Sequence, residues 1–270
     1  MAELPGGPAG LADRVRALQD GTLTPAPPRA AATVLLLRAG GQGPEVYLLR
    51  RVRGMAFAGG MHVFPGGSVD PADATADIGW AGPPAAEWAQ ELSCAEPLAR
   101  ALVCAAVRET FEESGVLLAG PDGDRVLADV STDEWEDERV ALEARELSLS
   151  ELLARRGLVL RSDLLRPFAH WITPEAEPKR FDTRFFLAEL PPGQVCRDAG
   201  GEADSRLWVR PADALARGLA MMPPTTAALR DVAGAVDVPS ALAAPRDLRP
   251  VQPSFVLDDA GQVALRAAGR

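Results

Sequence analysis

Histidine and cysteine are scarce in this chain, at two and three among 270 residues. His62 and His170 stand near neither a serine-glycine elbow nor a cysteine nucleophile pattern, so each reads first as a hydrogen-bonded structural residue. His62, beside a glycine-rich loop, is the better placed of the two to touch a substrate. Cys94, Cys104 and Cys196 are odd in number and widely spaced, which suits buried thiols in a reducing cytosol rather than a disulfide framework or a zinc site. Basic charge is also short: 28 Lys and Arg face 38 Asp and Glu, for a net charge of −10. That balance argues against a nucleic-acid backbone as partner, which would want a basic face. It still allows a nucleotide held through a metal and a few arginines. No apolar run reaches the roughly 18 residues of a membrane span, so no membrane partner is expected. The N-terminus lacks a charged-then-apolar signal pattern. No Ser-Lys-Leu-type terminus gives a peroxisomal address either, and a cytoplasmic location is the expectation.

What the chain does have is enough apolar residues, 47% of the total, to bury a sizeable core as one elaborated domain or one domain with a small appendage. Residues 1–30 read as an N-terminal arm, with a short helix at Leu11 to Leu18 followed by a proline-rich extension. Ala31 to Leu37 (AATVLLL) reads as a buried strand, since its apolar run has scarcely a polar break. Gly40, Gly41 and Gly43 turn it into a hairpin partner at Glu45 to Arg50. Arg50, Arg51 and Arg53 then precede a glycine-rich segment, and these arginines are either solvated or set on a phosphate, which a guanidinium fork suits.

The most informative stretch is Ala105 to Val116, a helix end closed by Gly115. Glu109, Glu112 and Glu113 fall at i, i+3 and i+4, so their carboxylates share one face. Val103, Val107, Thr110 and Phe111 share another that would seat the helix on a core. Two readings remain open at this point. The acidic residues form a solvated helix end, although the helix dipole disfavours acids there. Alternatively they gather a hard divalent cation, which takes oxygen ligands and commonly holds substrate phosphates as well.

Further along, Asp133 to Arg156 reads as a charged amphipathic helix broken near Ser148 and Ser150, its acids a solvated face and not metal ligands. Lys179 to Leu190 alternates as a strand. Phe181, Thr183, Phe185 and Leu187 take one side; Arg180, Asp182, Arg184 and Phe186 take the other. The arginine-aspartate-arginine row is an ion-pair network, a phosphate-facing wall or both, with Asp182 orienting Arg184. Ser205 to Arg210 reads as a short strand, Pro211 to Leu219 and Pro223 to Ala235 as helices, and the apolar run at Ser254 to Leu257 as part of a strap or tail.

Arg108 to Val116 resembles the second half of the Nudix box, G-x5-E-x7-R-E-U-x-E-E-x-G-U, with U aliphatic. Phe64-Pro65-Gly66-Gly67-Ser68-Val69-Asp70 resembles its first half. The spacing departs from the family, because 40 residues separate Gly67 from Arg108 where the pattern allows 13. Counted back from Arg108, the isolated glutamate of the box falls on Arg100, which leaves Glu96 or Asp70 as replacements. Leu48, Arg51, Gly60, Phe64, Pro65, Gly66 and Gly67 partly match a coenzyme A diphosphatase signature, whose second arginine falls on Ala56. The run HWITP at His170 to Pro174, RFDTRFF after it and the interrupted box are similar to the peroxisomal-type coenzyme A diphosphatase branch. The resemblance spans roughly residues 30 to 215.

This resemblance implies an α+β fold, a Nudix-type α/β/α sandwich with a mixed β-sheet, plus a helical insertion and C-terminal helices. The Nudix domain would cover 31–220, with 71–96 inserted as a surface excursion over the sheet whose tryptophans, Trp80 and Trp88, anchor the loop itself. Residues 221–270 would form a C-terminal helix and tail packed on the domain. By resemblance, Glu109, Glu112, Glu113 and the Gly67 carbonyl would hold Mg²⁺ or Mn²⁺. Arg108 would keep a neighbouring carboxylate in register, Glu112 or Glu113 would take the proton from the attacking water, and Glu202 is a further candidate base. Arg51, Arg53, His62, Phe64 and Arg184 are the candidate substrate contacts. The implied reaction is hydrolysis of a small-molecule nucleoside diphosphate derivative, with coenzyme A giving 3′,5′-ADP and 4′-phosphopantetheine. ADP-ribose, NADH, a dinucleoside polyphosphate or a capped RNA end are alternative substrates. A non-catalytic nucleotide-binding module is the alternative of another class, and a homodimer formed through the N-terminal arm is left open.

Overall fold

The computed structural model describes residues 10–55, 58–75, 77–197, 203–258 and 260–266. Its centre is β1 (Arg29–Gly40), which returns antiparallel as β2 (Gly43–Arg51) through the expected glycine turn. β1 also pairs in parallel with β9 (Phe181–Glu189), and β9 pairs antiparallel with β8 (Leu165–Ile172). β10 (Ala203–Val209) flanks β2. Two very short strands complete this seven-stranded mixed sheet: β3 (His62–Val63) on β2 and β4 (Gly66–Ser68) on β1.

The unbroken apolar run of β1 follows from burial on both faces. Ala32, Val34 and Leu36 join one core, while Leu35 and Leu37 join the other. The first core is closed by α3 (Ala85–Glu91), α4 (Glu96–Ser114), α5 (Asp133–Glu143) and α6 (Leu149–Arg156). The second is closed by α7 (Pro211–Ala216), α8 (Pro223–Val232) and α9 (Val238–Ala243). The result is an α/β/α sandwich. The break expected near Ser148 is a capping box: the Ser148 hydroxyl accepts from the Glu151 N–H and the Glu151 carboxylate accepts from the Ser148 N–H.

The stretch 71–96 lies over the sheet with most of its residues exposed, and buried side chains tie it down. It holds α2 (Pro71–Thr75), β5 (Trp80–Ala81) and α3. Ile78, Trp88 and Leu92 are buried in the first core, and Trp88 meets Phe186 edge to face at 5.8 Å. β5 adds to a second sheet with β6 (Ala119–Gly120) and β7 (Val159–Arg161). The insertion therefore covers a part of the main sheet that would otherwise be wet. The tryptophans do anchor it: the Trp80 indole N–H donates to the Pro83 carbonyl at 2.8 Å.

The first and last described elements meet. α1 (Leu11–Gln19) packs against a hairpin made by β11 (Ser254–Leu257) and β12 (Val263–Arg266), with Leu11, Val15 and Ala176 at the centre of a third small cluster. The apolar run at Ser254 to Leu257 is thus a strand. Cys94, Cys104 and Cys196 are all free thiols, and burial pushes that of Cys104 up to about 12. Among the described residues no helix is long and apolar enough to cross a membrane.

Candidate active site

α4 carries the acidic face to the sheet. Pro97 sits in its first turn, where a missing N–H costs nothing. Gly115 ends it at φ 72°, a left-handed conformation that favours glycine, with its N–H bonded to the Phe111 carbonyl. Val103, Val107, Thr110 and Phe111 are buried, so the register is fixed and Glu109, Glu112 and Glu113 must face β4.

The two halves of the acidic motif meet there. The Gly66 N–H donates to Glu113 Oε2 at 2.9 Å. At Gly67 an added Cβ would lie 2.4 Å from Glu109 Oε1, so the carboxylate occupies the space a side chain would need. A side chain there would displace the Glu109 carboxylate from its present position.

Arg108 binds this corner together. Its guanidinium donates to Asp73 (2.9 Å), Glu109 (2.8 Å), Glu112 (3.1 Å) and the Ser68 carbonyl (3.0 Å). Burial opposes its charge, but the bond to Asp73 and the surrounding carboxylates outweigh this and raise its pKa further. Asp73 is buried, at 3% exposure. It is the acid the sequence reading missed. Glu96 lies exposed at the start of α4, and the Asp70 carboxylate accepts from the Ala72 N–H at 2.9 Å and pairs with Arg145 at 3.7 Å, away from Arg108. Counting forward from Gly67 instead of back from Arg108 lands on Asp73 at the expected spacing of the isolated acid. The insertion lies after Asp73, which is why the backward count failed.

Burial pushes Glu109 up to about 7, with Arg108 opposing and Glu112 adding to the rise. Burial raises Glu112 in the same way, again against Arg108. A second arginine braces the helix end: Arg139 on α5, itself buried, donates to the Glu112 carbonyl at 2.7 Å while pairing with Glu136 and Glu143. The acids of α5 are therefore not all a solvated face.

These groups line one end of a cavity of about 820 Å³. Arg51 and Phe64 line it too. Three other expected substrate contacts do not. Arg53 is exposed and outside the cavity. His62 turns to the Arg50 and Asp204 side, where burial lowers its pKa, and its backbone pairs with Ala220. Arg184 is buried on the other face of β9, one residue out of phase with the cavity-lining Thr183 and Phe185. There it binds Asp182 and His170 close to Cys94, so Asp182 orients it within an ion-pair network. Alternation along the strand was legible, but not which face meets the cavity. Glu202 lies outside the described residues.

The donor set suits a hard cation: carboxylate oxygens beside a backbone strand, one carboxyl raised by burial among like charges. Among the described residues, however, no three acidic, histidine or cysteine side chains stand gathered for ligation. Arg108 explains this, because it engages Glu109 and Glu112 on the same nitrogen. Binding would require these carboxylates to turn from Arg108, leaving Asp73 to hold it.

No family model matches the chain. A crystal structure of a NUDIX hydrolase from Alicyclobacillus acidocaldarius is 31% identical, superposes with a TM-score of 0.68, and covers 82% of this chain and 98% of that one. The acyl-coenzyme A diphosphatase NUDT19 of Gallus gallus is 28% identical over 70% of this chain, and that of Xenopus laevis 24% over 63%. The matches span 62% and 54% of those two proteins, less than two-thirds of their length.

Proposed function

We propose, from the premise that the chain belongs to the Nudix hydrolase family, that it hydrolyses the diphosphate of coenzyme A or acyl-coenzyme A to 3′,5′-ADP and (acyl-)4′-phosphopantetheine. The observation that carries the reading is the corner where Arg108 joins Asp73, Glu109 and Glu112 while Glu113 accepts from Gly66. It brings both halves of the interrupted motif to one wall of a cavity. Similarity to the two acyl-coenzyme A diphosphatases supports the choice of substrate.

Glu109, Glu112, Glu113 and the Gly67 carbonyl would hold Mg²⁺ or Mn²⁺. A divalent cation bound there would neutralise diphosphate oxygens and acidify a water. The chain's own part is positioning and proton transfer. Arg108 and Asp73 fix the start of the acidic helix face, and the Gly66 N–H fixes the Glu113 carboxylate. Glu112 or Glu113 accepts the proton of the attacking water, with Glu202 a further candidate base. Both carboxylates are partly shielded from solvent, where burial favours proton uptake by Glu112. Arg51, at the cavity wall, is the guanidinium suited to a phosphate.

The test is a panel of coenzyme A, acyl-coenzyme A, ADP-ribose, NADH and diadenosine polyphosphates with Mg²⁺ or Mn²⁺, with products identified by mass. Release of 4′-phosphopantetheine from coenzyme A, faster than turnover of the other diphosphates, is the expected result. Preference for ADP-ribose or a dinucleoside polyphosphate would keep the hydrolase and overturn the substrate.

A further inference from the structure

The cavity has two unlike ends. One holds the carboxylates of α4. Elsewhere the lining gathers Leu11, Trp171, Phe181, Pro253, Phe255 and Leu265, side chains that are hydrocarbon or aromatic, with the polar Thr173, Glu177 and Lys179, between Trp171 and Phe181 in sequence, also in it. Leu11 comes from α1 and Phe255 and Leu265 from the β11–β12 hairpin, elements from opposite ends of the chain. They are held to each other and to the sheet. Leu11 and Val15 pack with Phe255, Leu257 and Val263. Arg14 Nε donates to the Ala176 carbonyl at 2.6 Å, and Val251, just before the hairpin, exchanges backbone hydrogen bonds with β8 at 2.9 and 3.0 Å.

We propose that this apolar end is a specificity wall that receives the acyl chain of the substrate, with Phe255 and Leu265 as its determining residues. The inference rests on the reading of the carboxylate end as the diphosphate site. A chain attached beyond the diphosphate would pass from the polar end along the cavity and exchange water for hydrocarbon contact, which is favourable in proportion to the apolar area covered.

The experiment compares free, acetyl-, octanoyl- and palmitoyl-coenzyme A as substrates of the wild type, Phe255→Ala and Leu265→Ala. Wild type should favour octanoyl- over free coenzyme A in kcat/KM. Each variant should shrink that ratio roughly tenfold, mainly through KM, while its melting temperature shows it folded. A loss equal for all four substrates, or no acyl preference in the wild type, would overturn the wall. Calorimetric binding of octanoyl- and free coenzyme A to wild type and Phe255→Ala, without turnover, gives a second readout. The acyl group should improve affinity and make the heat-capacity change more negative in the wild type, and do less of both in the variant. If coenzyme A binds with this acyl advantage yet is not hydrolysed, the diphosphatase reading fails and the wall stands; if it is hydrolysed without the advantage, the reverse holds.

Discussion

Four acceptors share the guanidinium of Arg108, and they differ in what they cost to lose. Asp73 is buried and is the acid closest matched to the fork of Arg108. Removing it leaves a buried cation short of a partner, so Asp73→Ala should destabilise by about 3–5 kcal/mol in urea unfolding. Glu96→Ala, at an exposed position, should stay within about 0.5 kcal/mol. Equal effects would refute the assignment of Asp73. Glu109 supplies a pH signature. Its folded value near 7 lies above the ordinary 4.5, so the native state holds the proton to higher pH than the unfolded chain does. The stability this contributes is complete below pH 4.5 and is lost as pH rises to about 7. Melting temperature in a chelator should therefore fall across that window, and Glu109→Gln should flatten the fall. At this scale the acidic face and Gly67 were legible, because they depend on spacing within one helix and one turn. Asp73 was hidden by an insertion that falsified the count from Arg108. Arg53, His62 and Arg184 lie outside the cavity lining, a placement the sequence does not carry because it holds local pattern but not the identity of neighbours.

Elements tell a similar story. The hairpin of β1 and β2 was readable from its glycines and its doubly buried run, as were β9, α7 and α8, whereas α9 falls in a stretch that reads as a strap or tail. β3 and β4, at two and three residues, are too short to carry a pattern of their own. They exist because β1 and β2 offer edges to pair with. The insertion keeps most of its residues at the surface, while three of its apolar side chains point inward as anchors. Ile78, Trp88 and Leu92 are at most 6% exposed. Trp88→Ala should cost about 3–5 kcal/mol, measured by urea unfolding, since it empties a site packed against Phe186. Deleting 71–96 should prevent folding rather than retune the substrate. A deletion variant that folds and melts like the wild type would restore the view of this segment as peripheral.

At the scale of the whole molecule, the sheet brings segments far apart in sequence to one cavity. Gly67 is set on β1, the carboxylates are brought by α4, and α1 with the C-terminal hairpin closes the apolar end. None of these approaches is written in a local pattern; each follows from which faces of the sheet remain uncovered. The central claim, that the corner of Gly67, Glu109, Glu112 and Glu113 is a divalent-cation site, needs one direct measurement. Mn²⁺ binding can be followed by loss of the free-ion paramagnetic signal at pH 6.5, with proton release recorded alongside, for the wild type, Glu112→Gln and Glu109→Gln. The wild type should bind Mn²⁺ and release protons, because a carboxyl with a pKa near 7 must ionise to serve as ligand. Glu112→Gln should weaken binding by roughly tenfold or more at unchanged melting temperature, and Glu109→Gln should in addition release fewer protons. Wild-type affinity in both variants would contradict the site.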